Sequence, residues 1–270
     1  DCTAFNAGAI SYRGEAPLTL NGTVIAGSKD ITGNPNPAIT GTTIFTVSLP
    51  NSKVGDLILG DKADIQADMC ISSGTVHANG GVVRGNVHSY RELTFSVDEG
   101  VTGSTIFYGQ IRGWYITIDG PAVTYQVNGK DYAIQILRSG AAATKPDTPT
   151  KTGYEFDGWF TSDGTVYNYN TSVTGDITLT GYLCLPVTRS SELEAALADD
   201  MVDAIKLKDS THLDIPIITR DVILDLNGCV LRLSSNIQVK SGGHLTLIDS
   251  NPTVEHRFTP VDGLWKLDET

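Results

Sequence analysis

"LDLNG", residues Leu224–Gly228, decides the fold class of this 270-residue chain because its pattern recurs. Alternating apolar and polar residues before a turn residue give a strand with one buried face and one wet face. Neighbouring copies near the carboxyl end lie about twenty residues apart, which is one coil of a solenoid. The further copies are "LTLNG" at Leu18–Gly22, "LILGD" at Leu57–Asp61, "IKLKD" at Ile205–Asp209 and "LTLID" at Leu245–Asp249.

A second repeated pattern supports the solenoid. "VRGNVHS" starts at Val83 and "FYGQIRG" starts at Phe107, with glycine, polar, β-branched and basic residues in register. The glycine pairs Gly80-Gly81 and Gly242-Gly243 supply the positive φ that corners need. An antiparallel sandwich would also have short strands and glycine turns. The recurring motif favours the solenoid and predicts that its strands stack in parallel, among them those carrying Leu224, Leu226, Leu245 and Leu247.

A different kind of segment separates the solenoid-like ends. "VTYQVNGKDYAIQIL", from Val123, alternates on both sides of Asn128-Gly129, which is a strong signal for a β-hairpin. Pro146 and Pro149 interrupt regular pairing, and "YEFDGWF" and "DITLTGYL" predict two further strands. A sheet of about sixty residues has a marginal core. We therefore interpret the aromatic run around Trp159 as core, with a ligand platform as the alternative.

The stretch "TKPDTPTKTGYEFDGWFTSDGTVYNYNTSVTGDITLTGYL" resembles the Listeria–Bacteroides repeat, the internalin-type B repeat of bacterial surface proteins. The resemblance covers about residues 122–185, and Tyr182 stands where the family commonly has a tryptophan. It implies a small β-grasp-like module that serves as a repeated stalk or interaction unit on secreted, cell-wall-associated proteins. The flanks are similar to the right-handed parallel β-helix regions that accompany such repeats.

The predicted fold class is mainly β, with right-handed parallel β-helix (solenoid) segments flanking a small β-grasp-like B-repeat module. We assign residues 1–120 to a first solenoid, 121–185 to the B-repeat-like module, and 186–270 to a capping helix and the start of a second solenoid. "VTRSSELEAALADD" predicts that helix. Thr188 or Ser190 is its expected N-cap, and its apolar stripe should cover the open end of the second solenoid.

Charge and hydropathy exclude several function classes. Lys and Arg total 19 against 31 Asp and Glu, so the net charge is −12 and a basic footprint for nucleic acid is absent. No apolar run is long enough to predict membrane insertion. The two ends, "DCTAFNAGAI" and "GLWKLDET", read as the interior of a longer protein, so we expect a fragment.

The cysteines do not form a metal or redox motif. Cys2, Cys70, Cys184 and Cys229 are far apart in sequence, which excludes a zinc knuckle or a thioredoxin-type pair. Cys229 lies in the apolar run "NGCVLRL", where we expect a plain buried thiol.

Titratable residues show no local catalytic or metal-binding motif, so the sequence predicts no catalytic residue, no cofactor and no metal site. The histidines are expected to be solvated loop residues, and the acidic groups to line the wet face of the solenoid. The alternative is that paired carboxylates perform acid–base chemistry or hold Ca²⁺. The histidines are His77, His88, His212, His244 and His256, and the acidic groups are Asp56, Asp61, Asp64 and Asp68, and Asp214, Asp221 and Asp225.

These observations favour a non-enzymatic secreted or cell-surface bacterial protein that acts in adhesion, display or spacing. Its expected partner is a glycan or a surface protein of a host or bacterium. Tyr90, Trp114 and Tyr115, at the glycine-rich edge of the first solenoid, are the candidate binding residues, since exposed aromatic and hydrogen-bonding groups suffice for binding. The alternative is a fragment of a carbohydrate-active β-helix enzyme, a polysaccharide lyase or a glycoside hydrolase.

Overall fold

A computed structural model describes residues 17–25, 43–47, 56–66, 68–71, 73–214, 216–251, 257–261 and 264–268. The fold is mainly β with solenoid segments, which confirms the predicted class. The elements are β1 (Leu18–Leu20), β2 (Thr23–Ile25), β3 (Thr43–Val47), β4 (Leu57–Leu59), β5 (Asp64–Gln66), β6 (Asp68–Ile71), β7 (Gly74–Ala78), β8 (Val82–Val83), β9 (Val87–Ser96), β10 (Thr105–Phe107), β11 (Ile111–Asp119), β12 (Ala122–Val127), β13 (Lys130–Ile136), β14 (Glu155–Phe160), β15 (Ile177–Val187), α1 (Ser190–Ala198), β16 (Ala204–Leu207), β17 (Thr211–Leu213), β18 (Ile217–Ile218), β19 (Asp221–Asp225), β20 (Leu231–Leu233), β21 (Gln238–Val239), β22 (His244–Ile248), β23 (Arg257–Val261) and β24 (Leu264–Asp268).

The chain divides into two compact units. The first comprises residues 1–147 and 160–180, and the second comprises residues 148–159 and 181–270. Strand β15 contributes residues to both. The predicted three-part division at residues 120 and 185 stays a prediction.

The first unit is a solenoid of parallel strands in three stacks. One stack contains β1, β4 and β7, and a second contains β3 and β6. Strand β9 turns a corner between them, because residues 87–89 pair with β6 and residues 93–96 pair with β7. Strands β2, β5, β8 and β10 form the third stack. Strand β11 lies parallel to β9 along both of its halves.

The repeated sequence motifs of the first unit lie on adjacent coils, as predicted. Leu18 pairs with Leu57 in the first motif. In the second motif Val83 pairs with Phe107, and Val87 with Ile111. Their inward side chains fill one apolar core, which contains Leu20, Leu57, Leu59, Ile65, Met69, Val76, Val83, Val87, Leu93, Phe95 and Phe107.

Polar side chains at the corners tie each coil to the next. The Asp68 carboxylate accepts a hydrogen bond from the backbone N–H of Asn86, 18 residues further on, at 2.7 Å. The Asn86 side-chain oxygen in turn accepts the N–H of Gln110, 24 residues further on, at 3.0 Å. Gly81 has φ +73°, and a Cβ there would lie 2.3 Å from the Ala63 carbonyl oxygen. These corners therefore satisfy backbone donors through side chains and leave no room for a larger residue at Gly81.

The predicted hairpin forms at the predicted turn. Strands β12 and β13 pair in antiparallel fashion around Asn128 (φ 50°) and Gly129 (φ 78°), which both adopt the left-handed conformation of a two-residue hairpin turn. Strand β13 also pairs antiparallel with β10, with Phe107 opposite Ile134. The hairpin thus extends the third stack of the first unit and ends its run of parallel strands.

The second unit contains a parallel stack formed by β15, β16, β19 and β22. Ile205 pairs with Leu224, and Leu224 pairs with Leu247, which confirms that the leucine motifs stack in parallel. The motif "LTLID" is shifted by two residues from the sequence alignment, because Val222 and not Leu224 lies opposite Leu245. A shift of two keeps each side chain on the same face of the strand.

Helix α1 begins at Ser190 and has Arg189 as its N-cap residue, without a side-chain cap. The expectation that Thr188 or Ser190 is the N-cap is therefore wrong. The Ser190 hydroxyl donates instead to the His212 carbonyl oxygen at 2.8 Å, and Glu192 accepts the Thr188 N–H at 2.8 Å.

Apolar side chains of α1 pack into the core of the second unit, whereas closure of the open end of the solenoid by this helix stays a prediction. Leu193 and Ala196 are buried there with Val187, Val202, Ile205, Leu207, Leu213, Ile218, Val222 and Leu224. Within the described residues, no helix has both the length and the apolar character needed to cross a membrane.

Candidate functional site

The aromatic run of the repeat-like segment is core, as predicted. Trp159 is 2% exposed, and its ring lies edge-on to Phe156 with the centroids 5.1 Å apart. Gly181 on β15 provides the space for both rings, since a Cβ there would lie 2.6 Å from Phe156 Cε2 and 3.0 Å from Trp159 Cε3. These aromatic side chains stabilise the second unit and do not form a ligand platform.

Two other aromatic residues face solvent on β11. Trp114 is 83% exposed and Tyr115 is 68% exposed. The pairing of β11 with β9 shifts between Gly113 and Tyr115, so Trp114 lies at an irregularity of the ladder. A bulge of this kind bends a strand and redirects a side chain. The side chain of Tyr90, the third candidate binding residue, lies outside the described part of the chain.

Two clefts lie within the first unit, and Trp114 lines the smaller of them. One has a volume of about 440 Å³ and lies between the last solenoid coil and the hairpin, with Tyr108, Arg112, Asp131 and Tyr132 among its lining residues. The other has a volume of about 340 Å³ and is lined by His88, Ser89, Arg112, Gly113 and Trp114. Arg112 borders both clefts. We call Arg112, Trp114, Tyr115 and the two clefts the β11 face.

One wall of the larger cleft is held in place by a polar network. The rings of Tyr108 and Tyr132 meet edge-on at 5.5 Å, and the Tyr108 hydroxyl accepts the Asp147 N–H at 2.6 Å. Arg84 bonds Asp147 Oδ2 at 2.6 Å and Asp64 Oδ1 at 2.8 Å. Burial raises the pKa of Tyr108 to about 12. The wall is thus fixed before any ligand arrives, which lowers the entropic cost of binding.

The first predicted acidic group does not converge on one site. Asp64 bonds Arg84, and Asp68 accepts from Asn86. Asp61 lies in an exposed turn. Asp56 differs from the other three aspartates, because its carboxylate lies near a histidine side chain. Among the described residues, no group of three or more His, Cys, Asp or Glu side chains is arranged to hold a metal ion.

His77 lies between two aspartates from adjacent coils. Its Nε2 is 3.5 Å from Asp56 Oδ2, and its Nδ1 contacts Asp98 Oδ1 directly. A hydrogen bond from Asn79 lowers the pKa of Asp98, burial opposes this, and His77 lowers it further. The expectation of a solvated loop histidine is wrong for His77, which lies in strand β7. The three residues are spaced by about one coil in the sequence, which is the pattern that could have predicted their contact. That spacing is informative only once the register of the coils is known.

Asp225 contradicts the expectation that the acidic groups line a wet face. Its side chain is fully buried, and it lies 3.6 Å from the ammonium group of Lys206. Lys206 also contacts Asp157 at 2.5 Å. The sequence pattern did not predict this cluster for two reasons. A lysine that alternates with apolar residues is expected on the solvent-exposed face of a strand, and the carboxylate partners of Lys206 are distant in sequence.

The structure describes two cysteine side chains in full, Cys184 and Cys229, and a buried thiol was expected for Cys229. Cys229 is half-buried and not fully buried. Cys184 is buried, and burial raises the pKa of its thiol to about 12. A thiol with so high a pKa is a poor nucleophile at neutral pH.

Comparison with known families bears on the middle of the chain. Comparison with curated proteins finds no significant match. The family model of the Listeria-Bacteroides repeat domain matches residues 122–180, which include the hairpin and the buried aromatic run. The resemblance drawn from the sequence is confirmed: the chain carries a Listeria-Bacteroides repeat domain at residues 122–180.

Proposed function

We propose that this chain is a non-enzymatic adhesion segment that binds neutral glycans through the β11 face. The observation that carries the proposal is the exposure of Trp114 and Tyr115 on β11, where Trp114 lines the smaller cleft and Arg112 borders both. A soluble protein leaves large aromatic side chains this exposed at some cost, so a binding role is the simplest physical account of them.

The chemistry of the β11 face fits a sugar. One face of a pyranose ring presents C–H groups that pack on an aromatic ring, while its hydroxyl groups need donors and acceptors. Trp114 and Tyr115 offer the rings, and Arg112 and Asp131 offer the hydrogen-bonding groups. A volume of about 440 Å³ lies in the range of small-molecule sites. The net charge of −12 repels polyanionic chains, so we expect neutral glycans.

The repeat domain supports the cellular setting. Listeria-Bacteroides repeat domains are found in bacterial surface proteins, which suits a cell-surface role for this chain. Secretion or attachment to the cell wall is the localisation that we propose on this basis. Display or spacing of other domains is compatible with the same setting, but it would leave the β11 face without a use.

Glycan binding tests the proposal directly. The purified chain is titrated against a panel of neutral and acidic polysaccharides by calorimetry, and the Trp114→Ala and Tyr115→Ala variants are titrated against each ligand found. Met201→Ala is the matched control, because Met201 is 76% exposed but lies in the second unit. We expect each aromatic variant to weaken binding at least tenfold and the control to bind normally. Absence of binding to every glycan, or equal binding by all variants, would refute the proposal.

An enzymatic alternative has one specific observation in its favour, the Asp56–His77–Asp98 arrangement. A histidine between two carboxylates is suited to general acid–base catalysis. Because the His77 ring contacts both carboxylates, we expect a structural role and no glycan turnover. Assays for reducing ends and for unsaturated uronic acid, with His77→Ala, Asp61→Ala, Asp64→Ala and Asp225→Ala as variants, would reveal an enzyme by product that a variant abolishes.

A further inference from the structure

Lys206 is a charged side chain in an unusual position. It points from β16 into the interior of the second unit, where its side chain is 10% exposed. Its Nζ lies 2.5 Å from Asp157 Oδ1, 3.6 Å from Asp225 Oδ2 and 3.3 Å from the Ser250 hydroxyl. The side chain of Asp157 is also 10% exposed, and that of Asp225 is fully buried. An amine is thus enclosed with two carboxyl groups away from bulk water.

The two carboxyl groups are held differently. Asp225 Oδ1 accepts the N–H groups of Asn227 and Ser250, both at 2.9 Å, and Oδ2 accepts the Ser250 hydroxyl at 2.6 Å. Asp157 has Lys206 on Oδ1, and its Oδ2 faces the Cys184 thiol at 4.0 Å. Asp225 is therefore fixed by the backbone, whereas Asp157 is held chiefly by the amine.

We propose that Lys206 and Asp157 condense to an amide bond between Nζ and Cγ, with Asp225 as the group that carries the proton. This intramolecular isopeptide bond would join β14 to β16 across 49 residues of chain. Two reacting groups held in contact have effective molarities of about 10⁵–10⁸ M, which favours a condensation that is unfavourable between free molecules.

The reaction balances without any further reagent. Asp225 accepts a proton from the Lys206 ammonium, and the neutral amine attacks Cγ of protonated Asp157. The new Nζ–Cγ bond forms, the bond from Cγ to the hydroxyl oxygen breaks, and Asp225 gives its proton to the leaving hydroxyl. Asp225 then takes the second proton from the new amide nitrogen. One water molecule leaves, and the Lys206 ammonium and the Asp225 carboxylate become a neutral amide and a neutral carboxylic acid. The site thereby exchanges buried charges, which are costly, for an amide.

The acidities of the groups are consistent with these roles. Burial raises the pKa of Asp157, Lys206 opposes this, and Asp225 raises it again, with a net rise that favours the protonated acid from which a hydroxyl can leave. Burial lowers the pKa of Lys206, but Asp157 outweighs it and the net change is a rise. The ammonium thus needs an adjacent base before it can attack, and Asp225 is the carboxylate in position.

A neighbouring ion pair provides a natural control. Glu155 lies two residues before Asp157 on β14, Lys208 directly follows β16, and their charged groups are 2.9 Å apart. Their side chains are 38% and 46% exposed, so water competes for both groups. Among the described residues, no second carboxylate lies within salt-bridge distance of Lys208. The same part of the second unit therefore carries one pair that should condense and one that should not.

The test is the intact mass of the full chain, measured after denaturation. We expect a mass lower than the sequence mass by one water molecule, and a proteolytic fragment in which the peptides of Asp157 and Lys206 remain joined. Lys206→Arg and Asp157→Ala should restore the full mass. Asp225→Ala should also restore it, although both bonding partners are present. Lys208→Arg and Glu155→Ala should keep the loss of one water.

Each outcome decides the matter. A wild-type chain with the full sequence mass overturns the proposal and leaves an ordinary buried ion pair. A loss of water that survives in Lys206→Arg, or that maps to Lys208, overturns it as well. If Asp225→Ala fails to fold, Asp225→Asn is used, because the amide oxygen preserves acceptor bonds without a proton-carrying carboxylate. Retention of the mass loss in folded Asp225→Asn would overturn the role of Asp225.

Discussion

Trp159 and Trp114 show two opposite uses of the same residue. Trp159 is 2% exposed and packs on Phe156 in the second unit, whereas Trp114 is 83% exposed on β11 of the first unit. Both follow a glycine closely in sequence, so the local pattern does not separate them. The difference lies in what faces each strand. Gly181 makes room for the ring of Trp159, but among the described strands β11 pairs with β9 alone and carries Trp114 at a bulge.

The contrast shows where large aromatic side chains contribute most free energy. A buried aromatic ring supplies apolar contact area that a small β module has few other ways to obtain. An exposed ring contributes little to folding and remains available for a ligand. Substitutions in the two regions should therefore separate stability from binding.

Truncation of Trp159 should have the largest effect. Trp159→Ala removes a fully buried ring and should lower the free energy of unfolding by about 3–5 kcal/mol. Chemical denaturation followed by circular dichroism measures the loss. Trp159→Phe retains part of the contact area and should lose less. An unchanged denaturation midpoint for the alanine variant would show that the ring is not part of the core.

Filling the space beside Trp159 should have the next largest effect. Gly181→Ala places a methyl group 2.6 Å from Phe156 Cε2, which forces the rings to shift, so we expect a loss of about 1–3 kcal/mol. Gly175→Ala is the matched control, because a Cβ there meets no atom within 4 Å. Equal stabilities of the two variants would contradict the packing described for Gly181.

Tyr108 should give an intermediate, pH-dependent effect. Burial raises its folded pKa to about 12, above the usual 10.0, so its contribution to stability is complete below pH 10 and is lost as the pH rises towards 12. Titration of tyrosinate absorbance should show a late step that Tyr108→Phe removes. That variant should also lose less stability than the wild type between these pH values. A variant with an unaltered titration curve would refute the assignment.

Truncation of Trp114 should have the smallest effect on stability. Trp114→Ala should change the free energy of unfolding by no more than about 0.5 kcal/mol, as is usual for exposed sites. In a background that lacks Trp265, iodide should quench the fluorescence of Trp114 and leave that of Trp159. Strong protection of Trp114 from iodide would mean that its ring is covered in solution, and the β11 face would then not be a free binding surface.

Local sequence patterns were sufficient for the strands, the hairpin and the stacking of coils. Asn128-Gly129 and the recurring "LDLNG"-type motifs depend on backbone geometry and strand period, which short stretches of sequence encode. The N-cap of α1 was predicted wrongly, because Ser190 bonds a carbonyl from a distant strand. The repeat domain was recognisable because its motif is specific.

The polar sites were not predictable in the same way. His77 meets Asp56 and Asp98 only once three coils are in register. Lys206 contacts Asp157 and Asp225, which lie on different strands. The alternation of apolar and polar residues around Lys206 predicts, by itself, a solvent-exposed side chain. Tertiary register decides both cases. Trp114 and Tyr115 were identified as candidates from their position, and their exposure now distinguishes them from the buried aromatic residues.

The corner bonds through Asp68, Asn86 and Gln110 have a consequence for how such a chain changes in evolution. Asp68 and Asn86 each accept a hydrogen bond from a backbone N–H one coil further on, so the same kind of contact recurs from coil to coil. Duplication of a complete coil reproduces every donor and acceptor and lengthens the molecule in fixed increments. Insertion of a single residue within a strand displaces all later corners from their partners. Lineages carrying this architecture should therefore differ by whole coils or by loops at corners.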